Sequence, residues 1–154
     1  MKMTNDEIVS TLNGLIEISR DGADGFETCA ADIDDEALKL YFRNRAESCR
    51  RAVRELNAEV RRHGGNPDTS GTITGSMHRA WVDLKAAVTS RDNRVVLEEC
   101  ERGEAAAVVA YENALREELP GELRALLEQQ CDGAKRNHDR VRQLRDSARH
   151  AGSA

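Results

Sequence analysis

An apolar residue returns every three or four positions along four long segments of this chain, and that rhythm admits only helices that share a core. In the first segment the beat runs Ile8, Leu12, Leu15, Ser19, Gly22, Phe26, Cys29. At about 3.6 residues per turn, those side chains fall on one side of a helix. The strong helix formers Ala, Leu, Glu and Arg abound, while aromatics are scarce and prolines number two, which argues against a sheet protein. A chain of 154 residues suits one all-α domain, expected over residues 1–150, with 151–154 as a frayed tail.

Stop and start signals divide the beat. Thr4 or Asn5 caps a first helix that runs to about Ala31. Asp34 or Asp35 caps a second, which carries Leu38, Phe42, Ala46, Cys49, Val53, Leu56 and Val60 and stops at His63-Gly64-Gly65-Asn66-Pro67. The Thr, Ser and Gly-rich stretch from Asp68 to Gly75 reads as a surface loop. A shorter helix, about Ser76 to Thr89, follows with Met77, Trp81, Leu84 and Val88 on one side. A further long helix spans about Arg94 to Glu118, and the last about Glu122 to Ala148, with Leu119-Pro120-Gly121 between them. The last helix has the stripe Leu123, Leu127, Gln130, Ala134, Asn137, Val141, Leu144.

The first and last links are short and force antiparallel hairpins. The middle connection, with its short helix, can cover ~30 Å at 1.5 Å per helical residue, about the length of the bundle. It can therefore return the chain to the end where the second helix began. The expected architecture is a ferritin-like four-helix bundle: two antiparallel hairpins joined by a long crossover containing a short fifth helix. A plain up-down-up-down bundle is the alternative.

Charge and cysteine usage narrow the function classes. A net charge of -5, with arginines interleaved among acids, gives no positive footprint for nucleic acid. No stretch approaches the ~18 uncharged residues of a membrane span, and the opening Met1 to Glu7 lacks a signal peptide's apolar run. A cytoplasmic protein is the expectation. The four cysteines, Cys29, Cys49, Cys100 and Cys131, stand one per long helix with no CxxC pair, which suits buried free thiols rather than a zinc knuckle. No helical spacing sets a nucleophile beside a base, and no Gly-rich loop follows a strand to cradle phosphate.

The chemistry-bearing residues gather in the last hairpin. One line of its first helix runs Leu97, Glu101, Glu104, Val108, Tyr111, Leu115, and the adjacent line runs Val96, Cys100, Gly103, Ala107, Ala110, Ala114. Glu104 falls within or beside a wide apolar seam, where a carboxylate needs a partner. Counted outward from Leu119, Glu101 and His138 lie almost equally far, hence at one height, with Glu104 about 4.5 Å further along the axis. Glu101, Glu104 and His138 are therefore candidate ligands for a divalent metal such as iron, manganese or zinc. The structural alternative is a polar layer in which Glu104 bonds Tyr111, His138 or an Arg. As an unliganded acid, Glu104 should tolerate replacement by Gln at nearly full stability. A di-iron cage also expects two Glu-x-x-His motifs, and this chain has none: Arg50 follows Glu47, Lys135 precedes His138, and Asp24 and Glu27 lie off the main stripe. On the crossover, Trp81 should anchor the short helix with its N–H seeking an acceptor, while His78 and Asp83 are candidates for lining a cleft.

Gly75-Ser76-Met77-His78-Arg79-Ala80-Trp81-Val82-Asp83-Leu84-Lys85, Glu99-Cys100-Glu101-Arg102-Gly103-Glu104 with Tyr111, Lys135 through His138-Asp139 to Arg142, and Glu59 to Gly65 together resemble a bacterial family. It comprises uncharacterised ferritin-like four-helix proteins, a domain of unknown function of proteobacterial type. The resemblance implies the ferritin-like fold, a cytoplasmic setting and kinship with ferritin-like metal proteins, but no reaction or ligand set. The missing Glu-x-x-His pairs set the chain apart from di-iron ferritins and rubrerythrins. The leading expectation is a non-enzymatic cytoplasmic bundle, with a stress-associated role by family analogy. The alternatives are a metal-binding protein with a degenerate site, and an interaction module that recruits a protein partner through exposed helix faces. A homodimer through a leftover apolar strip is compatible with each.

Overall fold

The computed structural model describes residues 2–68 and 75–152, with the side chains of 75–78 and 149–152 left aside. Among the described residues the chain is helical, without strands: α1 (Asn5–Asp32), α2 (Glu36–Arg62), α3 (Gly75–Ala87), α4 (Asn93–Leu115) and α5 (Gly121–Gly152). A 3-10 turn, Val88–Ser90, extends α3. No described helix is long and apolar enough to cross a membrane.

Local chemistry fixes the ends. Thr4 caps α1 in a closed capping box: its Oγ1 accepts from the Glu7 N–H, and its own N–H donates to Glu7 Oε1, each at 3.1 Å. Asp35 caps α2 through the Leu38 N–H at 2.9 Å. Asp92 caps α4 through the Arg94 N–H at 3.0 Å. At the end of α2, Gly64 takes φ 78°, and the Gly65 N–H closes on the Val60 carbonyl at 2.9 Å. Only a residue without Cβ takes that left-handed turn freely. α4 stops at Leu115, three residues before the expected Glu118. Pro120 bars helical geometry at Leu119, and the Glu117 N–H falls back to the Ala114 carbonyl in a tightened last turn. α5 runs past the expected Ala148 to Gly152. Most of the expected Thr/Ser/Gly loop, 69–74, lies outside the described residues, as do 153–154.

Two apolar clusters show how the helices run. One joins the starts of α1 and α5 to the ends of α2 and α4, through Leu12, Leu56, Tyr111 and Leu127. The other joins the ends of α1 and α5 to the starts of α2 and α4, through Phe26, Phe42, Leu97 and Val141, and takes in Trp81 and Leu84 of α3. Thus α2 and α4 run together, opposite to α1 and α5. The hairpin pairs α1 with α2 and α4 with α5 pack directly, and α3 packs against both α4 and α1.

The first stripe is buried throughout, from Ile8 at 3% exposure to Cys29 at 0%. Its glycine has a specific use. A Cβ on Gly22 would stand 3.1 Å from the Cys49 sulfur, and one on Gly103 would meet three Trp81 ring atoms at 3.1–3.2 Å. Gly25 approaches the same indole, its hypothetical Cβ at 3.3 Å. The bare backbones of α1 and α4 therefore make the slot that admits Trp81, and so determine where α3 docks. The Trp81 ring meets Phe26 edge-on at 5.2 Å between centroids, and Phe26 stacks with Phe42 at 5.9 Å.

Candidate functional site

The middle of the bundle holds a buried ion pair that crosses from α2 to α4. Arg45 Nη2 donates to Glu104 Oε1 at 3.0 Å, with the two side chains 11% and 1% exposed. The Arg45 guanidinium also lies over the Phe26 ring at 5.1 Å, so one face of the cation is covered by an aromatic quadrupole. Burial pushes the Glu104 carboxyl above its ordinary value, against the lowering effects of the Arg45 charge and hydrogen bond and of the His138 charge. For Arg45, burial works against the cation, but the Glu104 charge and hydrogen bond outweigh it and hold the guanidinium above its usual value.

Beside this pair a cleft of about 270 Å³ opens between α2 and α5. Small and charged residues share its walls: Ser48, Arg51, Ala52 and Glu55 from α2, and Gly133, Ala134 and Arg136 from α5. Its floor includes Trp81, Glu104, Ala107 and Tyr111. Tyr111 donates its O–H to Gln130 Oε1 at 2.9 Å. Four lining residues each keep one buried polar atom without a partner: Glu104 Oε2, Arg45 Nε, Trp81 Nε1 and Gln130 Nε2. The indole N–H that should seek an acceptor finds none among the described residues.

The three candidate ligands separate into two settings. Glu101 and His138 meet across the α4–α5 seam, His138 Nε2 standing 3.6 Å from Glu101 Oε1. Arg145 pairs closely with the other Glu101 oxygen, and Arg142 Nε lies 3.9 Å from Oε1. Glu104, one turn away, turns to Arg45 instead. Among the described residues, no three His, Cys, Asp or Glu side chains converge in a group that could hold a metal. The remaining acids named from the sequence are exposed and paired: Glu27 and Glu47 with Arg50, Asp24 with Lys85. Asp83 is exposed, and the His78 side chain lies outside those described.

All four thiols are free; Cys29, Cys100 and Cys131 are buried and Cys49 is half-buried. Burial pushes Cys29 up to about 12 and Cys49 up to about 11. Thiols held that far above neutrality are protonated and poor nucleophiles. They act as small core residues.

Arg45 is the member of the site that an apolar stripe passes over. The α2 line Leu38, Phe42, Arg45, Cys49, Ala52, Leu56 keeps the four-three spacing of a core seam, with a cation at its third place. A cation on that line opposite a carboxylate on the facing line is the signal for such a pair.

A comparison with the curated proteins found no match. The family described as a domain of unknown function (DUF2383) matches residues 7–117, from the first turn of α1 to just past the end of α4. That span includes Arg45, Trp81 and Glu104, and the chain belongs to this family.

Proposed function

We propose that the protein is a non-enzymatic bundle of ferritin-like arrangement in which an ion pair replaces a metal centre, and that it acts by binding. The observation that carries this reading is the Arg45–Glu104 pair, 3.0 Å long and buried at mid-bundle. A carboxylate cage attracts a divalent cation by concentrating negative charge on oxygen donors. Here Glu104 and Glu101 are opposed by Arg45, Arg142 and Arg145, so the guanidinium charges outnumber the carboxylates. Arginine cannot shed its proton to make room for a metal. The donor set Glu101, Glu104 and His138 therefore does not fit iron, manganese or zinc. A cytoplasmic setting belongs to the same proposal, and a stress-associated role rests on the family resemblance alone.

Metal content tests the reading directly. Protein produced in medium supplemented with iron, manganese and zinc, and purified without chelator, is expected to carry only substoichiometric metal. Its melting temperature should not move when any of the three is added. Stoichiometric metal that disappears in His138→Gln, a change at the half-buried edge of the seam, would overturn the proposal.

A further inference from the structure

We infer that the α2–α5 cleft binds a free α-amino acid with an apolar side chain, its carboxylate held by Arg51 and Arg136 and its ammonium by Glu55. The inference names a ligand for the binding role proposed above and rests on that reading. Metal content tests the one and ligand response the other, so the two fail separately.

The charges along the cleft set the ligand's head group. α2 contributes Arg51 and Glu55 to the lining, and α5 contributes Arg136. Among the described residues, none of these three side chains has a hydrogen bond or an ion pair. Arg51 and Glu55 stand one turn apart on α2 without bridging, although Arg124 and Glu128 bridge at the same spacing, 3.8 Å apart. The other charges nearby are already matched: Arg45 holds Glu104, and Arg50 and Arg54 hold Glu47. The cleft thus presents two unmatched cations and one unmatched anion. A carboxylate has two oxygens and can accept from two guanidiniums, while an ammonium donates to a carboxylate. A molecule that carries both groups on one carbon meets all three side chains. A plain anion would face Glu55 as a like charge, and a plain cation would face two guanidiniums.

Two of the three groups are visibly turned toward the cleft. Arg136 Nη2 lies 3.7 Å from where a Cβ on Gly133 would stand, so the guanidinium lies back along α5 over a lining residue. Glu55 is half-buried, and its charge acts on the phenol of Tyr111 in the floor.

The rest of the cleft sets the ligand's body. α2 packs on α1 and α5 on α4, and the cleft is the seam left between the two hairpins. An apolar cavity of ~150 Å³ accepts benzene, and this one, at about 270 Å³, has room for a branched aliphatic chain and its charged head. Ala52 and Ala134 line it with methyl groups, against which such a chain loses its contact with water.

The experiment titrates L-leucine and L-norvaline into the wild-type chain, followed by the amide NMR shifts of Gly133 and its neighbours on α5. At least one of the two should bind with a Kd on the order of 1 mM or tighter. Two analogues of leucine separate the head groups: 4-methylpentanoate lacks the ammonium, and 3-methylbutylamine lacks the carboxylate. Each should bind about tenfold more weakly than leucine, or worse. Glu55→Gln should weaken the amino acid about tenfold while leaving 4-methylpentanoate at least as well bound, so that the two become nearly equal. Arg51→Gln combined with Arg136→Gln should abolish binding of both. All these side chains are exposed or half-buried, so the variants are expected to keep the wild-type circular dichroism and melting temperature, which are checked alongside. Absence of any shift with either amino acid at about 10 mM, where a 1 mM site is mostly filled, would overturn the inference. So would equal binding of leucine and 4-methylpentanoate to the wild type, or unchanged leucine binding in the folded double arginine variant.

Discussion

Arg45→Met should destabilise the fold by about 3–5 kcal/mol at pH 7, measured by urea unfolding. The substitution keeps an unbranched apolar stem beside Phe26, so packing is largely conserved. What it removes is the one hydrogen bond that the described residues give the Glu104 carboxylate, which is 1% exposed. The carboxyl must then be buried as an unpaired ion or take up a proton. Burial already holds it above its ordinary value while Arg45 pulls it down. Deleting Arg45 lifts it further.

The pH dependence follows from that direction. An acid whose folded-state pKa is raised binds more protons folded than unfolded, so its contribution to stability falls as pH rises. The contribution is fully present below the unfolded value near 4.5 and is lost as pH passes through the raised folded value. The penalty of Arg45→Met should therefore be smallest near pH 5 and grow toward pH 8. A penalty flat across that range would mean that the loss comes from packing. Replacing both partners, Arg45→Met with Glu104→Leu, should recover most of the loss, because an apolar pair of similar volume does not need to desolvate charge. Glu104→Gln, expected from the sequence to be nearly neutral, is expected instead to be costly: it leaves the permanently charged Arg45 buried beside a neutral amide.

That reversal marks where the sequence is legible and where it is not. Periodicity identified the four long helices, and every member of the α1 stripe proved buried, because an apolar surface must be removed from water whatever its neighbour. Caps and stops at Thr4, Asp35 and Gly64 were legible for a similar reason: they satisfy backbone groups within a few residues. Glu104 stood out as a carboxylate in an apolar seam. Its partner did not, since Arg45 is 59 residues away in the chain and its choice depends on which seams face each other. The same holds for Glu101 and Glu104: axial height placed them one turn apart, but rotation about α4 sends one to Arg145 on α5 and the other to Arg45 on α2. The cleft was invisible for a further reason. It arises from what Ser48, Ala52, Gly133 and Ala134 fail to fill.

Trp81→Ala should cost about 3–5 kcal/mol, the range for emptying a large aromatic site in a core. The indole is 2% exposed and is the main side chain by which α3 enters the cluster around Phe26. The informative measurement is its coupling to Gly103. In the wild type, Gly103→Ala places a methyl 3.1–3.2 Å from three atoms of a rigid ring and should cost about 1–3 kcal/mol. With Trp81 truncated to Ala the methyl has room, and the usual helical advantage of Ala over Gly, about 0.5–1 kcal/mol, should appear as stabilisation. The sign of a single substitution thus depends on a residue 22 positions earlier in the sequence, a coupling that a double-mutant cycle isolates. If Gly103→Ala costs the same in both backgrounds, the glycine serves some other neighbour, and the slot that seats α3 is not formed by the bare backbone of α4. If the sign changes as expected, Gly103 is explained by the indole that Gly25 of α1 also approaches. The same indole then fixes the floor of the cleft beside Glu104.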